Sequence, residues 1–151
     1  MIQYPEGLPA FERTGYGLET VDPQVRTTLG NGRMRIRQGF KYTPQIITCS
    51  AVMNEMEAQI FQSWWHNTLM SGTQWFEGPV LTPLGLERRA MRFIDVYDGP
   101  NPWGLCMWRF GLKLELRKPA LIPEEWLGDG AEWILHASEF DILMNRTWPE
   151  A

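Results

Sequence analysis

From Trp108 to Arg117 the chain alternates without a break. Trp108, Phe110, Leu112, Leu114 and Leu116 fall on one side, and Arg109, Gly111, Lys113, Glu115 and Arg117 on the other. Successive strand side chains point to opposite faces, so this run reads as a strand with one buried and one wetted face. Strands of parallel sheets are covered on both faces and read as continuous apolar runs, so a half-wetted strand belongs to an antiparallel sheet. Pro119 ends it.

The other elements fit around that strand. Residues 1–25 carry Pro5, Gly7, Pro9, Gly15, Gly17 and Pro23 with poor alternation, which predicts an extended N-terminal arm. Leu29-Gly30-Asn31-Gly32 is a tight-turn signal. Arg33, Arg35 and Arg37 then alternate with Met34, Ile36 and Gln38, so the three arginines share one strand face. Gln45 to Met53 follows Pro44, is rich in β-branched residues and predicts the next strand. Asn54 with Glu57 three residues on is a capping-box signal for a helix over 54–70. Its predicted apolar stripe is Met56, Ile60, Trp64 and Thr68 with Phe61, Trp65 and Leu69, and Gly72 is placed to stop it. Trp75-Phe76 predicts a short strand ended by Gly78-Pro79. A further strand is expected from Arg88 to Tyr97 and a turn at Asp98–Pro102. Residues 121–151 have no strand pattern and read as a C-terminal appendage, with a short helix at Glu139–Asn145. The expected fold is mainly β with one helix, a small antiparallel β-sandwich over 26–120.

Composition bounds the class. At 151 residues, 44% hydrophobic and 21% charged, the chain fits one domain with a real core. No run of about 18 apolar residues exists, so no spanning helix and no membrane insertion are expected. The start lacks a basic region followed by an apolar run, so no secretory signal is expected. Net charge is −4, against a general nucleic-acid binder. The acids are uneven: residues 121–151 hold Glu124, Glu125, Asp129, Glu132, Glu139, Asp141 and Glu150 against one base, Arg146. Such a tail serves solubility, or packs on a basic surface of a neighbouring subunit. Eight tryptophans are present. Half are assigned to the core and the rest, with Trp126, Trp133 and Trp148 foremost, to subunit contacts. Cys49 and Cys106 sit in apolar runs and read as small buried hydrophobes.

A catalytic reading needs a nucleophile with a base, a carboxylate pair or a metal set. His66 and His136 have no ligand spacing, no Gly-x-Ser-x-Gly elbow occurs, and Asp95 with Asp98 bracket a turn. No catalytic residue, metal site or cofactor is expected.

The order of these elements from Arg26 to Leu121 resembles the minor tail protein M family of lambda-like bacteriophages and the short tail-tip proteins of other long-tailed phages. The matching features begin with the Gly30-Asn31-Gly32 turn into a basic strand and the Ile46–Val52 strand. They continue with the acid-started helix Glu55–Leu69, Trp75-Phe76 with its proline, and the closing pair Ala90–Val96 and Trp108–Leu116. The likeness rests on order and spacing rather than on one motif. It implies a distal-tail-protein-like β-sandwich in the virion tail. Its subunits would form a homohexameric ring between the tail tube protein and the hub or tip proteins, with no cofactor and no catalysis. The arm and the appendage depart from the short family members.

A ring needs a complementary contact from each subunit to the next. The candidate interface residues are Arg33, Arg35 and Arg37 on one side and the acidic tail, Glu124, Glu125, Asp129 and Glu132, on the other, and the appendage is expected to dock by Trp126, Trp133 and Trp148. For the arginines a solvated face is the plainer reading and a contact with acids of a partner the sharper one. Three alternatives stay open: a tail-completion or head–tail joining ring, a carbohydrate- or receptor-binding β-sandwich, and a small hydrolase.

Overall fold

The computed structural model describes residues 1–127 and 130–137. The chain divides into two compact units, Met1–Pro119 and Ala120–Ala151. The first is a small β-sandwich with one main helix.

Its strands are β1 (Ile2–Gln3), β2 (Glu12–Thr20), β3 (Gln24–Thr28), β4 (Met34–Gln38) and β5 (Gln45–Asn54). After the helix α1 (Glu55–Ser63) come β6 (Phe76–Thr82), β7 (Gly85–Phe93), β8 (Asp98–Trp103) and β9 (Met107–Leu116). The main sheet runs β1-β6-β7-β9-β5-β2, with β8 also on β9. β1 and β6 are parallel, and the other pairs are antiparallel.

The alternating strand β9 is the centre of the architecture. It pairs with β5 along ten rungs, from Gln45 opposite Leu116 to Asn54 opposite Met107. Residues directly opposite in an antiparallel pair share a face. Ile47 with Leu114, Cys49 with Leu112 and Ala51 with Phe110 therefore form one inner face, and all six are buried. On its other side β9 serves two strands: β7 at Met91–Phe93 and β8 at Asp98–Trp103. The sheet splits there and folds over its own core.

Helix α1 closes the core. Asn54 accepts from the Glu57 backbone N–H at 2.8 Å, and the Asn54 N–H donates to the Glu57 carboxylate at 2.9 Å, the reciprocal capping box. A wide π-turn at Trp64–Thr68 continues the helix. Ala58, Phe61, Trp64, Trp65 and Leu69 are buried. The Phe61 ring meets Phe110 at 5.0 Å, Tyr97 at 5.6 Å and Trp64 at 6.2 Å between centroids. Aromatic pairs at such spacings add to area burial. After the π-turn the backbone turns left-handed at Met70, Ser71 and Gly72. A Cβ on Gly72 would stand 2.9 Å from Trp65 Nε1, so this stop needs glycine for space as well as for φ.

Several expectations are corrected. Residues 1–25 are no free arm: β1 and β2 are strands of the main sheet, and Tyr4 and Leu8 are buried in the core. The alternation of β2 is masked because Gly15 (φ +72°) sits where the register shifts between Glu12 and Gly17. Gly78-Pro79 does not end β6. That strand is paired on one side only beyond Glu77, where a proline is tolerated. Asp98–Pro102 is a strand, not a turn, with a bulge between Asp98 and Asn101. Met56 and Ile60 are 76% and 55% exposed, outside the buried stripe. At 100° per residue Met56 lies about 140–160° around the helix from Phe61 and Ala58, so it faces away from the core. Cys49 is buried but Cys106 is exposed, since it lies in the β8–β9 turn after Gly104 (φ +69°). The described part of the second unit contains a short 3-10 turn, Glu124–Trp126, and a helix over 130–137. The helix expected at Glu139–Asn145 lies outside the described residues.

Candidate assembly surface

The basic strand is half of a separate two-stranded sheet. β3 and β4 pair over five rungs, from Gln24 opposite Gln38 to Thr28 opposite Met34. The turn is built as its residues dictate. Gly32 (φ +78°) supplies the left-handed position, its N–H donates to Leu29 O at 2.9 Å, and the Arg33 N–H donates to Asn31 Oδ1 at 3.1 Å. At the base, the N–H groups of Gly39 and Phe40 both donate to Pro23 O, at 2.7 and 3.3 Å.

The register assigns the faces. Arg37 lies opposite Val25 and Arg35 opposite Thr27, so one face carries the three arginines about 7 Å apart with Val25 and Thr27 between them. The other face carries Met34 and Ile36, with Arg26 and Thr28 opposite. Every residue of β4 is exposed; Met34 is 57% and Ile36 55% exposed. The side chains of Arg33, Arg35 and Arg37 make no ion pair or hydrogen bond among the described residues. The hairpin's own pair is Arg26 with Asp22 at 2.9 Å, half exposed and worth little in water.

The acidic side stands in the second unit. Glu124, Glu125 and Trp126 share the 3-10 turn, and Trp133 stands on the 130–137 helix; all four are exposed. The structure thus gathers the arginines on one face and the two glutamates with Trp126 on one turn. Asp129 and Trp148 lie outside the described residues. Of the other tryptophans, Trp64 and Trp65 are buried, Trp75 and Trp108 half-buried, and Trp103 is 50% exposed with the Arg109 guanidinium 4.6 Å over its ring.

Two surfaces escaped the sequence reading. The first is a groove of about 420 Å³ where the start of α1 meets the β8–β9 turn, lined by Asn54, Glu55, Met56, Pro102, Leu105 and Met107 among others. Leu105 is fully exposed and Met107 is 40% exposed. The signal available was Met56, an apolar residue one turn before Ile60 and off the core face. The second is an open basic cleft of about 540 Å³ between Arg88, Arg89, Arg117 and Lys118, with Glu87 as its one acid. Glu87 pairs with Arg89 at 2.6 Å, and the Arg88 guanidinium donates to Gln3 Oε1 at 2.9 Å. The cleft mixes strand ends that are far apart in the chain, which periodicity does not reveal.

The perturbed titrating groups are Cys49 and Tyr4 in the core and the half-buried Tyr16 against it. Burial pushes the Cys49 thiol up to about 12. Burial also raises Tyr4 and Tyr16, each with a smaller push from Cys49. These groups are shielded, which suits packing rather than proton transfer. Asp95 and Asp98 are exposed, and no group of three or more metal-ligating side chains occurs among the described residues.

No protein-family model matches the chain, and no curated protein matches it. Among solved structures the chain is similar to one from the "Tail of empty GTA particle computed with helical refinement, C6 symmetry". The identity is 15% and the TM-score 0.41, over 76% of this chain and 83% of that one.

Proposed function

We propose that this chain is a structural subunit of a long-tailed bacteriophage tail tip. It forms a homohexameric ring that joins the distal end of the tail tube to the hub or tip proteins. The observation that carries the reading is the β3–β4 hairpin. It is a ribbon outside the core, with three arginines on one face that have no ion pair among the described residues and Met34 and Ile36 open on the other. An isolated hairpin is marginal in water, so a hairpin left bare on both faces suits a subunit that is completed by a neighbour. The order of elements from Arg26 to Leu121 supports the same reading.

In the assembled ring the arginine face meets Glu124 and Glu125 of the next copy, with Trp126 and Trp133 as aromatic anchors of that contact. Different surfaces meet on the two sides, so the contact is head-to-tail and closes by rotation. The reading assigns no cofactor, no membrane insertion and no catalytic step.

Native mass across a concentration series tests it. A single closed species reached with rising concentration is the expected result, and its mass gives the symmetry. A monomer at every concentration that also binds glycans would overturn it in favour of a sugar-binding module.

A further inference from the structure

Resting on the ring reading, we infer that the apolar face of the β3–β4 hairpin of one copy seats in the groove beside Met56 and Leu105 of a second copy.

Both surfaces are open on the described part of their own unit. Met34 and Ile36 stand on a face that nothing in their own unit covers. Met56, Leu105 and Met107 line a concave groove that no described residue of their own unit fills. The geometry separates them. The hairpin leaves the sheet at Gln45, the first residue of β5, and the groove lies at Asn54, the last. Nine residues of strand rise place these ends about 30 Å apart. A ribbon at one end of the strand and a groove at the other cannot satisfy each other within one copy. They can do so between copies.

Charge complements shape. The face that enters the groove carries one base, Arg26, opposite Ile36, and its ion pair with Asp22 is half exposed. Glu55 is the one charged side chain lining the groove, and it has no ion pair among the described residues. It stands at the start of α1 on the groove's rim, on the side where Arg26 of the seated face enters. The hairpin then has an occupant for each face: the groove for Met34 and Ile36, the acidic segment for the arginines. Knob and hole are different patches, so the contact propagates from copy to copy.

Cys106 of the groove makes the contact testable by covalent trapping. Disulfides need Cα atoms within about 7 Å, so Ile36→Cys links to Cys106 of another copy only if the hairpin is seated. Mild oxidation of the Ile36→Cys chain should give a ladder of linked species ending at the ring, absent when Cys106→Ser is added. Ile36→Asp and Leu105→Asp, both at exposed positions that folding tolerates, should each raise the midpoint concentration of assembly roughly tenfold or more. Assembly with unmoved midpoints and no 36–106 link overturns the inference and leaves the ring reading standing. A 36–106 link that stops at a dimer supports the seated hairpin and overturns the ring reading, since it marks reciprocal exchange. No association of the unaltered chain at any concentration overturns the inference, and glycan binding by that monomer overturns the ring reading as well.

Discussion

The Leu81 backbone N–H donates to the Tyr16 hydroxyl at 3.2 Å, and this bond ties β2 to β6 across 65 residues of chain. β2 is the last strand at one end of the sheet order, and β6 is followed at the other end only by the two-residue β1. The sheet is therefore folded until its two ends meet, and one side chain satisfies a backbone donor that no ladder reaches. Tyr16 can span this gap because the Gly15 bulge re-aims its side chain.

Tyr16→Phe keeps the ring and removes the acceptor. The part-buried Leu81 N–H then loses its partner, and stability should fall by about 1 kcal/mol. Urea denaturation at neutral pH measures this. An unchanged midpoint would mean that water replaces the hydroxyl and that the bond does not hold the sheet ends together.

The capping box gives a second, independent number. Asn54→Ala removes the acceptor for the Glu57 N–H while leaving the core aromatics in place. The expected loss is about 1 kcal/mol, and Asn54→Asp should recover most of it because aspartate caps equally well. Loss by both variants alike would argue that Asn54 acts through β5 rather than through the cap.

Phe61→Ala strikes the core itself. Phe61 is fully buried and touches Trp64, Tyr97 and Phe110. Truncating such a ring costs about 3–5 kcal/mol. Thermal melts should show a large fall with no change in the identity of the folded state by circular dichroism. A loss under 1 kcal/mol would mean that the helix does not close the core.

How far the sequence spoke for itself follows from where its signals are local. The strand β9, the strand β5 and the Asn54–Glu57 cap are written in alternation, β-branching and one four-residue motif, and all three stand in the structure. β2 was hidden because its glycine bulge breaks period two. β8 was hidden because Asp98-Gly99-Pro100 is turn chemistry that pairing with β9 overrides. Of the surface, the arginine face was legible, since Arg33, Arg35 and Arg37 need only the strand period to share a side. The groove was not, because Met56 and Leu105 come together only when α1 and the β8–β9 turn meet.

The cysteines predict a split in reactivity and a slope with pH. At pH 8 a thiol reagent should label Cys106 quickly and Cys49 only as fast as the chain opens, because one is exposed and the other buried. Burial raises the Cys49 thiol from 9.0 to about 12, so above 9 the unfolded chain loses that proton and the folded chain keeps it. Stability from this group is full below pH 9 and is lost as pH rises toward 12. Cys49→Ala should flatten that part of the curve. An equal alkaline slope in the variant would assign it to Tyr4 and Tyr16 instead, whose raised hydroxyls act with the same sign from 10.0 upward.

Assembly should depend on salt through the arginine face. Arg33, Arg35 and Arg37 stand in open water, so any attraction to Glu124 and Glu125 of another copy is screened as the Debye length falls from about 10 Å at 0.1 M to 3 Å at 1 M. The midpoint concentration of assembly should rise with salt. Arg35→Glu with Arg37→Glu should weaken assembly at low salt and leave the fold intact, since both positions are exposed and outside the core. Adding Glu124→Lys and Glu125→Lys to that variant restores opposite charge and should recover assembly at low salt. Ring formation by the double arginine variant as good as that of the unaltered chain would remove the arginine face from the contact. Recovery that fails in the four-residue variant would keep the arginines but assign them a different acidic partner.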